Sequence, residues 1–421
     1  MTQAPSERRG LVHAVFLERL AGEPAETTLE AQFAHAAFLA LRLSDLLGPD
    51  RDPAHPDAFQ YQYLATDRLC RQLPADCTET AHLSGLVRSA LDAFRGQDVR
   101  LAVPALFAYA HYLEDELRLR EALDVLETLL RMGADRLPPS DAIASRLRMA
   151  RVLRKLNHFD EAGQVYDEAG VLAVAEHDSH SELLSRVGRA YTLIGRGNLM
   201  EAERSLRDIL TASQSAGDRP AQALVHQGIA VALDYGGQPA EAITHLWRAF
   251  ELFDDDVSRT RALGDLGIML LTLGDAEGAQ HALNEVVRRG ATGDVLSNAL
   301  IELMHCASYR RDRIGFERFR DACEARMADA SPNILADFHL KAGIGHARFG
   351  RFDRAEPLLT TALAIAEQAG VNELVFRIER IRNGLRDCHE ELQRAPQPVA
   401  EPVVESDAVR EVSASLARLA V

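Results

Sequence analysis

A Glu-Ala pair returns every 40 residues through the middle of this 421-residue chain: Glu121-Ala122, Glu161-Ala162, Glu201-Ala202 and Glu241-Ala242. A fixed period within roughly 20–50 residues marks a repeat architecture, because each copy is a supersecondary unit that buries its apolar face only by stacking on the next. Two looser copies follow. Gly274-Asp275-Ala276-Glu277-Gly278-Ala279 places an alanine 37 residues after Ala242, and Gly350-Arg351-Phe352-Asp353-Arg354-Ala355 closes the series. Between them Phe316 stands where the alanine is expected.

About twelve positions before these alanines lies a small residue: Ala110, Ala150, Ala230, Gly267 or Gly343. A turn residue follows it, at Asn157, Gly237, Gly274 or Gly350. The unit therefore reads as helix, short turn, helix. Small residues at a helix crossing let two backbones nest antiparallel at the short end of the usual ~8–10 Å separation. Leu113, Leu153, Leu233 and Leu270 would fill the space beside the crossing. The third unit is irregular, since Gly188 and Tyr191 fit the pattern only with two residues inserted before Ala202. Ser331-Pro332 reads as an N-cap followed by a proline at the first helical position, Thr27-Thr28-Leu29-Glu30 as a capping box, and Asp218-Arg219-Pro220 as another helix start.

Leu266-Gly267, Leu270, Gly274 and Ala279 carry the resemblance most closely: the chain resembles the tetratricopeptide repeat family, in a long-repeat variety. The likeness covers residues 102–380. It departs in period, with the extra residues assigned to second helices or inter-repeat loops such as His177-Asp178-Ser179-His180 and Ser215-Ala216-Gly217-Asp218. The resemblance implies an all-α fold, a right-handed α-solenoid of about seven antiparallel helix pairs with an N-terminal helical bundle. Residues 1–100 are helical by apolar periodicity (Leu29, Phe33, Ala36, Ala37, Ala40) but lack the Glu-Ala register, and are read as a capping bundle with a loop at 48–56. Residues 101–390 form the solenoid, 391–406 a Pro-rich linker and 407–421 a short amphipathic helix.

Forty-seven Lys and Arg against 63 Asp and Glu give a formal charge of −16, which repels phosphate backbones and anionic lipid surfaces. Neither nucleic acid nor membrane is expected as a partner. The longest uncharged stretches, such as Pro220 to Leu233, fall short of the roughly 20 apolar residues of a membrane helix. Arg8-Arg9 precede a short apolar run that His13, Glu18 and Arg19 interrupt, so the N-terminus reads as an ordinary helix and not a signal peptide. Five scattered cysteines, Cys70, Cys77, Cys306, Cys323 and Cys388, contain no CxxC pair and fit a reduced, cytoplasmic setting.

Phosphate-loop, dinucleotide, zinc-protease and nucleophile-elbow signatures do not occur, so no catalytic residue, cofactor or metal is assigned. His177 and His180 lack a third ligand, as do Cys388-His389, and Asp254-Asp255-Asp256 reads as a helix stop and cap. The remaining candidate is the face of the first helices, which lines the groove of a stacked array. Carrying the register forward places His111, Glu114, Arg151, Arg154, Lys155, Arg189, Gln227, Tyr235, Arg261, Asn298, His305, Tyr309 and Arg348 near it. Its basic bias, densest at Arg151, Arg154 and Lys155, would favour an acidic peptide or partner protein. The chain is thus expected to be a non-catalytic scaffold or adaptor. The alternative is a signal-responsive regulator that binds a peptide or response regulator, by architectural resemblance to bacterial peptide-sensing regulators. Val409, Val412, Leu416 and Leu419 share one helical face, which would dock on the last repeats, occupy a groove of its own or a neighbouring chain, or fray.

Overall fold

The computed structural model describes residues 11–419 apart from 24, 26–27, 50–55, 292, 328–329, 370–371 and 393–405. Among the described residues there are helices and no strands, and no helix is long and apolar enough to cross a membrane. The proline-rich linker lies almost wholly outside the described residues. Two compact units emerge, one ending at Glu201 and one starting at Ala202.

The N-terminal unit begins with α1 (Ala14–Gly22), α2 (Leu29–Asp45), α3 (Pro56–Cys70) and α4 (Thr78–Gly96). Phe33, Ala36, Ala37 and Ala40 on α2 are buried, whereas Leu29 is exposed and leaves the apolar stripe. Thr28 caps α2 by accepting from the Ala31 amide at 3.2 Å; Thr27 lies outside the described residues. His13 is buried, its two ring nitrogens donating to the carboxylates of Asp124 (2.6 Å) and Asp45 (3.0 Å), and so ties the start of α1 to the end of α2 and to the segment around Asp124.

The repeats then follow as α5 (Val103–Asp115), α6 (Leu119–Gly133), α7 (Pro139–Lys155), α8 (Phe159–Ala175) and α9 (Ser179–Gly195). The unit boundary falls inside α10 (Leu199–Ala216). The second unit continues with α11 (Arg219–Tyr235), α12 (Pro239–Leu252), α13 (Asp256–Thr272), α14 (Ala276–Arg288), α15 (Gly293–Tyr309), α16 (Arg313–Glu324), α17 (Pro332–Arg348) and α18 (Phe352–Gln368). It ends with α19 (Asn372–Leu392) and α20 (Asp407–Leu419). Along the chain this makes seven helix–turn–helix segments, from α5/α6 to α17/α18.

One turn geometry repeats in all seven. Leu117, Asn157, Gly197, Gly237, Gly274, Arg311 and Gly350 have positive φ, and each stands five residues before a buried Ala122, Ala162, Ala202, Ala242, Ala279, Phe316 or Ala355. The next amide closes the first helix on a carbonyl five residues back, as His158 does on Leu153 (2.9 Å) and Gln238 on Leu233 (2.8 Å). Glycine adopts this left-handed turn without the steric cost that Leu117 or Arg311 bears. The third segment needs no insertion: Gly197 supplies its turn and the buried Ala190, twelve before Ala202, is its small residue. Phe316 fits an alanine position because Gly345 on α17 faces it, where a Cβ would come within 2.2 Å of the ring.

Aspartates start many of the later helices, with Asp178, Asp218, Asp255, Asp275 and Asp312 each accepting from a first-turn amide at 2.7–3.0 Å. Ser331 occupies the N-cap position before Pro332, but its hydroxyl makes no capping bond.

Candidate functional site

In the N-terminal unit the polar face of the first helices centres on one buried carboxylate. Glu114 on α5 accepts from Arg148 at 2.6 Å and from Arg151 and Lys155 at 2.7 Å, all three on α7. Burial works to raise its pKa, but the bonds from Lys155, Arg151 and Arg148 prevail and hold it at about 2. Three cations thus share one carboxylate, and Arg151 remains about half exposed. Arg154 faces elsewhere: its guanidinium lies 5.0 Å from the Tyr191 ring. Of the basic trio read from the sequence, two converge on Glu114 and one packs on the Tyr191 ring. Arg148, three residues before Arg151 on the same stripe, belongs with the pair and was legible from that spacing.

In the second unit the first helices α11, α13, α15 and α17 carry a row of ionisable groups. Gln227 on α11 and Arg261, one turn before Asp265 on α13, stand close enough to Asp265 to act on its carboxyl. Burial pushes the Asp265 carboxyl up to about 6, against the pull of Gln227 and Arg261. Its side chain nevertheless keeps some access to solvent. On α15 and α17, Lys341 lies between Glu302 (2.5 Å) and Asp337 (2.6 Å). Burial works against its charge, yet the two carboxylates hold Lys341 above the usual ammonium range. Burial, with Asp337 nearby, pushes Glu302 up. His305 is held well below its ordinary value by burial and by the charges of Arg348, Lys341 and Arg377, and so presents a neutral ring. Arg348 reaches its Nδ1 at 3.5 Å, donates to Ser308 at 2.9 Å and lies 5.0 Å from the Tyr309 ring.

Gln227, Arg261, His305 and Tyr309 are therefore brought into this row. Asn298 is exposed at its edge on α15, and Tyr235 stands 66% exposed at the end of α11. Arg189 turns toward the second helix α8, where it meets Asp167 at 3.5 Å. His111 pairs with Asp115 on its own helix at 2.9 Å. Sequence reasoning missed Asp265, Glu302 and Lys341, although Glu302 lies on the α15 stripe between Asn298 and His305.

Among the described residues no three His, Cys, Asp or Glu side chains gather where they could hold a metal ion. Burial pushes the thiols of Cys70 to about 11 and of Cys306 and Cys323 to about 12, so these cysteines are core and not nucleophiles.

No protein family and no curated protein matches the chain. Among solved structures, it is similar to the Rap conjugation gene regulator of the plasmid pLS20 in complex with the Phr* peptide. That match has 13% identity, covers 82% of this chain and 96% of that one, and has a TM-score of 0.52. Also similar are the apo quorum sensor NprR from B. thuringiensis (11% identity, 84% and 92% covered, TM-score 0.49) and aspartyl phosphate phosphatase F from Bacillus subtilis (12%, 82% and 95%, 0.46). The fold, in its helix pairs and in its likeness to the first of these, is that of the tetratricopeptide-type helical repeat proteins.

Proposed function

We propose that this chain is a non-catalytic interaction protein whose first-helix face binds a peptide or a segment of a partner protein, as a scaffold or adaptor. The observation that carries this reading is the row from Gln227–Asp265 through Glu302–Lys341 to His305–Arg348. Each of these links joins two successive first helices. Enclosed ionisable groups that keep a route to solvent are costly to stability and well suited to orienting a bound chain through charge-assisted bonds. The N-terminal unit adds the unbalanced cations around Glu114, which support an acidic ligand. The unpaired buried thiols support a reducing, cytoplasmic setting.

A second reading, a signal-responsive regulator, is supported by the fold neighbour that is a conjugation gene regulator in complex with a peptide. Both readings share one test. The full-length chain is probed with an array of random nonapeptides, wild type beside Lys341→Met and Arg348→Met. Retention of a defined peptide set that these variants lose is the expected result. If no peptide is retained, or retention ignores both variants, the first-helix face of the second unit is not the binding surface.

A further inference from the structure

A cleft of about 710 Å³ opens in the N-terminal unit between α4, α5 and α7. That volume lies within the range of about 300–1,000 Å³ typical of ligand sites. Its walls are mainly apolar: Val103, Phe107 and Tyr112 from α5, with His82 from α4 stacked on Tyr112 at 4.9 Å. Burial and the nearby His111 hold His82 below its ordinary value, so it too offers a neutral ring face. The space exists because Ala108 on α5 and Ala144 on α7 present only methyl groups to it. Ser145 in the α7 wall is fully buried and its hydroxyl has no hydrogen-bond partner. A buried hydroxyl without a partner costs free energy that a ligand's polar group would recover.

The acids that line the cleft are compensated, whereas the cations beside it are in excess. Asp115 is matched by His111, and Asp141 sits in the first turn of α7, where the helix amino end compensates it. Beside the lining, Arg148 holds its guanidinium 5.4 Å from the Phe107 ring and joins Arg151 and Lys155 on Glu114. There, two positive charges exceed the single carboxylate.

We propose that this cleft takes a large apolar or aromatic side chain of a bound peptide whose neighbouring residue is acidic, with that carboxylate directed to Arg151 and Lys155. The inference rests on the peptide-binding reading and gives the N-terminal unit a recognition pocket of its own. The ring enters between Phe107 and the His82–Tyr112 stack, where offset and edge contacts favour aromatic guests.

The nonapeptide array tests it with the full-length chain, wild type against Ala144→Phe, which fills the cleft from a solvent-facing position, and Ala108→Phe from the opposite wall. Peptides retained by wild type are expected to be enriched in Phe, Tyr, Trp or Leu beside Asp or Glu. Both filled variants should lower their affinity at least about tenfold. Ser145→Ala should weaken the same peptides about fivefold without lowering the unfolding temperature, since it breaks no existing bond. If peptides are retained but the filled variants keep the same set, or the flanking preference is for Lys or Arg, the subsite is wrong while the binding reading stands. If no peptide is retained at all, both fall.

Discussion

Ser413 on the C-terminal helix donates its hydroxyl to the Asp275 carboxylate, whose other oxygen caps α14 by accepting from the Gly278 amide at 2.9 Å. The approach is close enough that a Cβ on Gly278 would come within 2.4 Å of the Ser413 oxygen. Val409, Val412 and Leu416 are buried as α20 packs on α12 and α14, with Leu419 half-buried. Both of those are second helices of their pairs. The tail therefore covers neither the last repeats nor the first-helix face, two of the outcomes the sequence left open beside a neighbouring chain's groove and a frayed end, but the second helices of two pairs.

This docking predicts slow hydrogen exchange at the α20 amides, since a 13-residue helix is marginal alone in water. Leu416→Asp should return α20 to full-rate exchange and expose the apolar faces of α12 and α14, while leaving α17 protected. Fast exchange across 407–419 in the wild type would remove the docked helix.

Much of the fold was legible because the repeat constraint is local: a turn at a fixed distance from a buried alanine can be read from spacing alone. The third segment was misread because Gly188 and Tyr191 imitate the pattern two residues early, while the true small residue, Ala190, looks like any helical alanine. The site was legible only as a stripe. Which stripe residues neutralise each other depends on neighbours about 40 residues away, such as Glu114 with Lys155 or Glu302 with Lys341, and no periodicity in one helix reveals them. Arg189 was drawn off the groove by Asp167 on the preceding helix for the same reason.

Ala242 is fully buried at its crossing, so Ala242→Leu should overpack the α11/α12 pair and destabilise the chain by about 1–3 kcal/mol in urea unfolding. The reverse change, Phe316→Ala, empties the space that Gly345 leaves open and should cost about 3–5 kcal/mol. Exposed Ala144→Ser serves as the neutral control.

Two histidines, His13 buried and His226 half-buried, should shape the pH dependence of stability with opposite signs. Burial disfavours a charged His13, but Asp124 and Asp45 prevail and raise it above 6.5; its contribution is complete below 6.5 and is lost as pH rises through the folded value. His226, 2.9 Å from His245 and pushed down to about 4 by burial and that neighbour, contributes above 6.5 and loses it as pH falls toward 4. Unfolding temperatures measured from pH 4 to 9 should show His13→Gln flattening the alkaline limb and His226→Gln the acid limb. Discounted for partial exposure, the His226 contribution is about 2 kcal/mol. Parallel curves for wild type and both variants would contradict these assignments.

Asp265 offers the sharpest separation of binding from stability. Its folded value of about 6 lies above the ordinary 3.8, so the folded state holds its proton more tightly than the unfolded chain. The stabilisation is present below 3.8 and is lost as pH rises through 6, leaving a charged carboxylate in a poorly hydrated place at neutral pH. Asparagine keeps the shape and a polar group beside Gln227 without that charge. Asp265→Asn should therefore raise stability at pH 7.5 by about 1 kcal/mol, discounted for the solvent access of the side chain, and leave it unchanged near pH 4. A position that is destabilising as it stands is one where activity and stability conflict, so the same variant should bind retained peptides differently from wild type above pH 6 and like it below. Loss of stability at pH 7.5, or identical binding across that range, would make Asp265 an ordinary packed side chain and withdraw it from the site.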